Sequence, residues 1–226
     1  MVAPLETLGE GSWQPVNLPE QEPGYLGMLV IDGLLTRDVA LANTVATELV
    51  GPTDLLRPSS SEQAVAALPA DIAWTVVEPT RVAVLDARFA TALAQWPVIV
   101  STLLARSVAR SQSLAFNLTV SHMTGIETRL VGLFWHLAER FGRVSPDGVV
   151  VPLALTHELL GRLVGAKRPT VTSALAELDR RGLIKRRARA DWLLSGEPPP
   201  ELLHGHSVGA GSSSAVGRHP YASARG

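Results

Sequence analysis

The chain has 226 residues, 46% of them apolar and 18% charged, with a formal net charge of −1 and no cysteine. Such totals suit one large or two ordinary globular domains rather than a disordered chain, and the missing thiols exclude disulfides, thiol catalysis and cysteine-held iron–sulfur clusters. No stretch approaches the ~20 consecutive apolar residues of a membrane span; the opening MVAPLETLGEGSWQPVNLPEQEPG has neither a basic start nor an apolar run, so no secretion signal and a cytoplasmic location are expected.

Residues 1–23 are rich in Pro and Glu and are expected to form an irregular lead-in. From Gly24 the texture changes. Tyr25 to Leu35 reads as a strand, a turn at Asp32-Gly33 and a return strand, and short apolar runs follow at Val39–Leu41, Thr47–Val50, Trp74–Val77 and Val82–Leu85. Several short strands with Gly, Pro and Asp punctuation predict an antiparallel barrel or jelly roll over 24–96. Asp86 is placed to cap a short helix, Ala87 to Gln95, which Trp96-Pro97 breaks.

Residues 97–123 contain no Gly and no Pro after Pro97, enough for a helical rod of ~40 Å at ~1.5 Å per residue. Leu104, Val108, Ser111, Ala115 and Leu118 recur at intervals of four and three, a seam suited to a partner helix. A homodimer through this seam is the favoured reading. The alternative is a helix buried on its own β domain, and because Leu103, Leu114 and Phe116 fall outside the seam, one side has to pack that way in any case.

Gly125 marks a hinge before a helix from Ile126 to Phe141, whose Leu130, Leu133, Phe134, Leu137 and Phe141 form an apolar face expected to meet the segment that follows. Gly142 ends it, Pro146-Asp147-Gly148 turns, and Val149 to Val151 reads as a strand. Two short helical patterns then lie back to back. Thr156 can cap the first, with Glu158 in its opening turn, and Leu155, Leu159, Leu160, Leu163 and Val164 are its apolar face. Only Gly165, Ala166 and Lys167 separate it from the second, which has Pro169 in its first turn and Gly182 past its end. That is helix-turn-helix spacing. Val171, Ala174, Leu175 and Leu178 are expected to pack on the first helix, leaving Arg168, Pro169, Thr172 and Ser173 turned away from it. Leu183 to Arg187 and Asp191 to Leu194 read as two strands around a basic tip, a wing.

Charge is separated by region. Residues 153–194 hold nine Lys or Arg against four acids, whereas residues 1–80 hold two Arg against eleven acids. A basic end built on a helix-turn-helix is the footprint expected for duplex DNA; a merely solvated basic surface is the alternative.

The segment LTHELLGRLVG, the Arg168 and Thr170-Val171 that open the next helix, and LAELDRRGLI resemble the winged-helix end of the Crp-Fnr regulators, strongly over residues 124–195 and by layout alone over 24–123. The resemblance implies an α+β chain with an N-terminal barrel or jelly-roll sensor-like domain (24–96), a dimerisation helix (97–123) and a C-terminal winged helix-turn-helix (124–195). It implies base-edge contact from Arg168, Pro169 and Ser173, to which the outward face adds Thr172, and phosphate contact from Lys167 and Thr170. Thr156 and the wing residues Lys185, Arg186, Arg187 and Arg189 join the phosphate set. A sequence-specific, dimeric transcription regulator on a palindromic operator follows, with RNA polymerase a further candidate partner. Pro169 departs from members that carry an acid accepting from cytosine there, so the target sequence is not inherited.

The family's cyclic-nucleotide pocket needs a Gly-Glu pair for the ribose and an arginine for the cyclic phosphate. Gly51-Pro52-Thr53-Asp54 looks like the turn before that pocket, but no Gly-Glu follows and Ala64 to Trp74 contains no arginine. An anion buried without a positive partner is heavily penalised, so no cyclic-AMP binding is expected; Arg57 is left either as a substitute or as a surface ion pair. The alternative function is a regulator whose β domain senses a non-nucleotide metabolite. Lacking cysteine, the chain is not an oxygen sensor of the Fnr kind. No cofactor, metal or enzymatic site is expected: His136 and His157 share ligand spacing with no Cys or acid, His204, His206 and His219 lie in a Gly-, Ser- and Pro-rich tail past Ser195 expected to be disordered, and Trp135 and Trp192 are expected to pack rather than stack on bases.

Overall fold

The computed structural model describes residues 2–16, 18–19, 22–58, 70–187, 191–199 and 202. Residues Met1–Gly196 form one packed unit and Glu197–Gly226 a second; in the second, the amide of Leu202 donates to the carbonyl of Pro199 at 2.8 Å. Most of the tail expected to be disordered, with its three histidines, lies outside the described residues.

Two fifteen-residue antiparallel strands, β3 (Gly27–Leu41) and β6 (Asp71–Leu85), carry the N-terminal half. The lead-in is not irregular throughout: β1 (Leu5–Leu8) and β2 (Gly11–Trp13) add to β6, with Leu8 buried and Trp13 edge-on to Trp74 at 5.7 Å between ring centroids. On the other side, β4 (Thr44–Val50) and β5 (Leu55–Leu56) pair with β3. The order β1-β6-β3-β4 does not close among the described residues, so this is an open sheet rather than a sealed barrel.

Asp32-Gly33 is no hairpin turn. It sits where the β3–β6 register slips between Val30 and Leu35, and the chain continues in strand on both sides. Gly33 takes φ +93°, and a Cβ there would stand 2.4 Å from the carbonyl oxygen of Pro79. Glycine supplies the bend, while opposite it Pro79, which has no N–H, falls in the same interruption of the ladder. One core of this half gathers Tyr25, Met28, Val30, Leu35, Val50, Leu56, Trp74, Val76, Val82 and Val84.

Helix α1 (Ala87–Leu93) is capped by Asp86, whose carboxylate accepts from the amide of Phe89 at 2.8 Å. After Trp96 comes α2 (Pro97–His122), within a residue of the expected rod, and Gly125 (φ +88°) separates it from α3 (Ile126–Phe141). Leu130, Leu133, Phe134 and Leu137 are buried as their spacing demands. Phe141 departs from the expected face: it packs on the Gly51 turn of the β domain, its ring 3.0 Å from where a Cβ on Gly51 would lie. Then come β7 (Arg143–Ser145), which sequence pattern missed, β8 (Gly148–Val151), α4 (His157–Val164), α5 (Arg168–Arg180), β9 (Ile184–Arg186) and β10 (Trp192–Leu194). The last four strands form one sheet in the order β7-β8-β10-β9. Trp192 is buried against Phe134 at 4.9 Å and Trp135 is half-buried, both as packing residues.

Candidate nucleic-acid interface

Thr156 caps α4: its hydroxyl oxygen accepts from the amide of Leu159 at 3.1 Å, while the hydroxyl proton stays available to an acceptor outside the protein. Leu155, Leu159, Leu160, Leu163 and Val164 are all buried. The helix ends at Gly165, which takes the left-handed φ +66° that a Cβ would oppose, and the chain turns into α5 within three residues. Val171, Ala174, Leu175 and Leu178 are buried, whereas Lys167, Arg168, Pro169, Thr170, Thr172 and Ser173 are exposed.

The exposed hydroxyls differ in what they have left to offer. Thr172 donates to the carbonyl of Arg168 at 3.0 Å and lies 2.9 Å from Nδ1 of His157, so its polar capacity is largely spent on the protein. It is thus not wholly turned away from α4. Ser173 donates to the carbonyl of Pro169 at 3.2 Å and keeps oxygen lone pairs for an incoming donor. Burial, then the charges of Arg186 and Arg168, holds His157 below its ordinary pKa. One cation from the wing and one from α5 therefore act together on the start of α4.

In the wing, Trp192 pairs with Arg186, whose guanidinium lies 5.5 Å from the Trp192 ring centre. Lys185, Arg186 and Arg187 are exposed; Arg187 reaches Asp147 at 4.0 Å. Arg189, at the expected tip, lies outside the described residues. Not every basic residue counted toward the positive end is free for phosphates. Arg180 pairs with Glu177 at 2.6 Å, and Arg162 points at the β domain, 2.6 Å from Asp38. Among the described residues Lys167, Arg168 and Lys185 carry no ion pair, and they sit on the exposed side.

Three arginines outside the expected set tie these elements to one another. Arg129 donates to the carbonyl of Met123 at 2.7 Å and to that of Val164 at 3.2 Å, tying the ends of α2 and α4 together. Arg140 meets Asp54 at 2.7 Å, and Arg110 grips Glu48 at 2.6 and 2.9 Å. Nothing in the sequence marked them beyond their charge, because, Met123 apart, these partners lie 35 to 86 residues away.

A family model described as a Crp-like helix-turn-helix domain matches residues 128–194. The chain carries a Crp-like helix-turn-helix domain in that segment. It is 29% identical over 185 residues to a CRP-like cAMP-activated global transcriptional regulator of Mycobacterium tuberculosis, covering 76% of this chain and 80% of that protein. It is 33% identical over 90 residues to the regulatory protein CysR of Synechococcus elongatus, covering 38% of this chain and 42% of that one, so the match spans less than half of CysR. A solved CRP/FNR-family transcriptional regulator from Thermus thermophilus superposes with a TM-score of 0.57 at 19% identity over 88% of this chain and 96% of that one, a likeness of fold alone.

On α2, all five residues of the expected seam are exposed, Leu104 at 65%, Leu118 at 61% and Val108 at 49%. The opposite side meets the β domain and α3 through Leu103, Arg110, Ser113 and Val120. Leu114 and Phe116 are not buried there: Leu114 is 41% exposed and Phe116, 36% exposed, stacks on His136 at 4.3 Å. One side of the helix thus packs within the chain, and the side with the expected seam is uncovered.

The Gly51–Asp54 turn is tied up by the protein itself. Asp54 accepts from the amide of Gly51 at 2.9 Å as well as from Arg140. Arg57 lies 5.8 Å from the ring centre of Tyr25. Residues 59–69, where the family's cradle for the cyclic phosphate would begin, are outside the described residues. Among the described residues no His, Asp or Glu cluster suits a metal and no helix is long and apolar enough to cross a membrane.

Proposed function

We propose that the chain is a cytoplasmic, sequence-specific transcription regulator that binds palindromic DNA as a homodimer without needing cyclic AMP. The supporting division is a β domain over 24–96 extended by the two lead-in strands, a dimerisation helix over 97–123 and a DNA head over 124–195. The observation that carries the reading is the exposed edge of α5, where Arg168 and Lys167, unpaired among the described residues, stand beside Pro169 and Ser173.

In this reading Arg168 reaches a base edge as a two-pronged donor, which suits guanine O6 and N7. Ser173 adds a hydrogen bond, and Pro169 and the methyl of Thr172 add apolar contact. Lys167, Thr170, Thr156 and the wing cations Lys185, Arg186, Arg187 and Arg189 hold phosphates, which sets register but not sequence. A pair of heads about 34 Å apart reads successive major grooves, and the uncovered seam on α2 is the surface that would join them. Independence from cyclic AMP rests on the missing Gly-Glu pair and the absence of arginine from Ala64 to Trp74. RNA polymerase is the partner a regulator bound beside a promoter would meet.

Selection of bound sites from random duplexes by the full chain tests this. A palindrome is expected, bound equally with and without cyclic AMP. Failure to enrich any sequence in dilute salt would sink the DNA reading; a strict need for cyclic AMP would sink the independence from it.

A further inference from the structure

Between the Gly51–Asp54 turn, α2 and α3 lies a cavity of about 500 Å³. Each wall belongs to a different working part: the turn to the β sheet, α2 to the dimer seam, α3 to the DNA head. Its volume falls within the roughly 300–1,000 Å³ usual for small-molecule sites, much larger than a single inorganic anion fills.

Cations outnumber acids on the lining, with Arg106, Arg110 and Arg140 against Asp54 and Glu139. Arg110 is taken up by Glu48 and Arg140 by Asp54, each at hydrogen-bond distance. Glu139 is largely in solvent, 3.9 Å from Nδ1 of His136. That leaves Arg106, which lines the cavity and has no carboxylate partner among the described residues. Arg140 can extend further N–H groups past Asp54, since a guanidinium has five donors and the bond to Asp54 uses one. Polar, uncharged neighbours are present too: Gln112 on the wall, and Ser113 hydrogen-bonded to Nε2 of His136 at 2.7 Å. The stacked rings of Phe116 and His136 give an apolar surface for a carbon skeleton. Metals are not favoured by such a donor set, and neutral apolar ligands would leave Arg106 desolvated and unpaired.

We propose that this junctional cavity is an effector site for a small organic anion of the di- or tricarboxylate class, held by Arg106 from α2 and Arg140 from α3. Its occupant touches the β turn, the dimer helix and the head at once. Any rearrangement that parts α3 from the Gly51–Asp54 turn takes that site apart, so the anion binds the assembled arrangement more tightly than a parted one and shifts the balance toward it. Describing it as an effector rests on the DNA-binding reading above; the binding itself does not.

Succinate, citrate and phthalate are the probes, titrated into the full chain at constant ionic strength and followed by calorimetry and by the ring-proton resonances of His136. At least one is expected to bind saturably and move the His136 signals. Arg106→Ala, a change at an exposed position, should weaken that binding at least tenfold while leaving the thermal midpoint of the free protein unchanged, and Arg106→Lys should retain most of it. No saturable binding by any of the three, or equal binding by Arg106→Ala, overturns the proposal. Because no DNA is present, loss of this site and loss of the DNA-binding reading are separate results.

Discussion

Nη1 of Arg162, on the first helix of the helix-turn-helix, stands 2.6 Å from Oδ2 of Asp38 on β3. Asp38 also accepts from the hydroxyl of Thr47 at 2.5 Å, which fixes its carboxylate between two donors. The DNA head is thereby fastened to the sheet by a half-buried ion pair, Arg162 being 36% and Asp38 16% exposed. A double-mutant cycle with Arg162→Ala and Asp38→Asn is expected to give a coupling of about 1 kcal/mol, read as denaturant midpoints and smaller in high salt. Strict additivity of the two changes would mean that the pair holds nothing.

The seam on α2 predicts an oligomeric state. Leucine and valine side chains left largely in water gain roughly 25 cal/mol for each Å² that a partner covers. Replacing Leu104 and Val108 together by Glu puts like charges opposite one another across a two-fold axis, and the association constant should fall at least about 100-fold, equivalent to ~3 kcal/mol. Sedimentation equilibrium should show the parent as a dimer and the variant as a monomer. A variant that sediments like the parent would place the dimer contact elsewhere on the chain.

Helices were easier to read in the sequence than strands, for a physical reason. Between Thr156 and Gly182 each boundary carries a residue with a local effect: a capping hydroxyl, a left-handed glycine, a proline with no N–H to satisfy. Those effects act within a turn, so sequence displays them directly. Along β3 and β6 the same residue types mean something else. Gly33 and Pro79 read as punctuation between short strands, yet they face each other at a bulge inside two long ones. Pairing across 46 residues decides that, and no local pattern encodes it. The interface shows the same divide. The periodicity of α5 placed Arg168 on the open side, while the opposite charge that claims Arg162 lies 124 residues earlier and could not be read from its neighbours.

His136 predicts how stability depends on pH. Burial, and after it the charge of Arg140, keeps its pKa below the ordinary 6.5 despite the opposing pull of Glu139. Above 6.5 the histidine is neutral in both folded and unfolded chains and costs nothing. As pH falls through 6.5 the unfolded chain takes up a proton that the folded chain still refuses, so stability declines until the folded pKa is passed and then levels off. His136→Gln, which can still hydrogen-bond Ser113, should reduce that decline, leaving the part due to His157, whose pKa is lowered as well. Urea unfolding at a series of pH values checks it; an unchanged slope would show that His136 takes up its proton equally in both states.

The division of labour at the DNA interface is tested by two single changes that lose the same formal charge. Arg168→Ala removes a forked donor from the open edge of α5, so it should cost about 1 to 3 kcal/mol on the selected site and relax the preference at one base position in each half-site. Lys185→Ala removes a point charge from the wing. It should weaken all duplexes by a similar factor and lower the slope of log affinity against log salt by about one for each protomer, because one fewer counterion is released per head. Affinities measured for the selected palindrome, a half-site variant and an unrelated duplex at several salt concentrations separate the two effects. Should Arg168→Ala weaken every duplex equally, Arg168 would be a phosphate ligand like Lys185, and the reading of base edges would pass to Ser173 and its neighbours on α5.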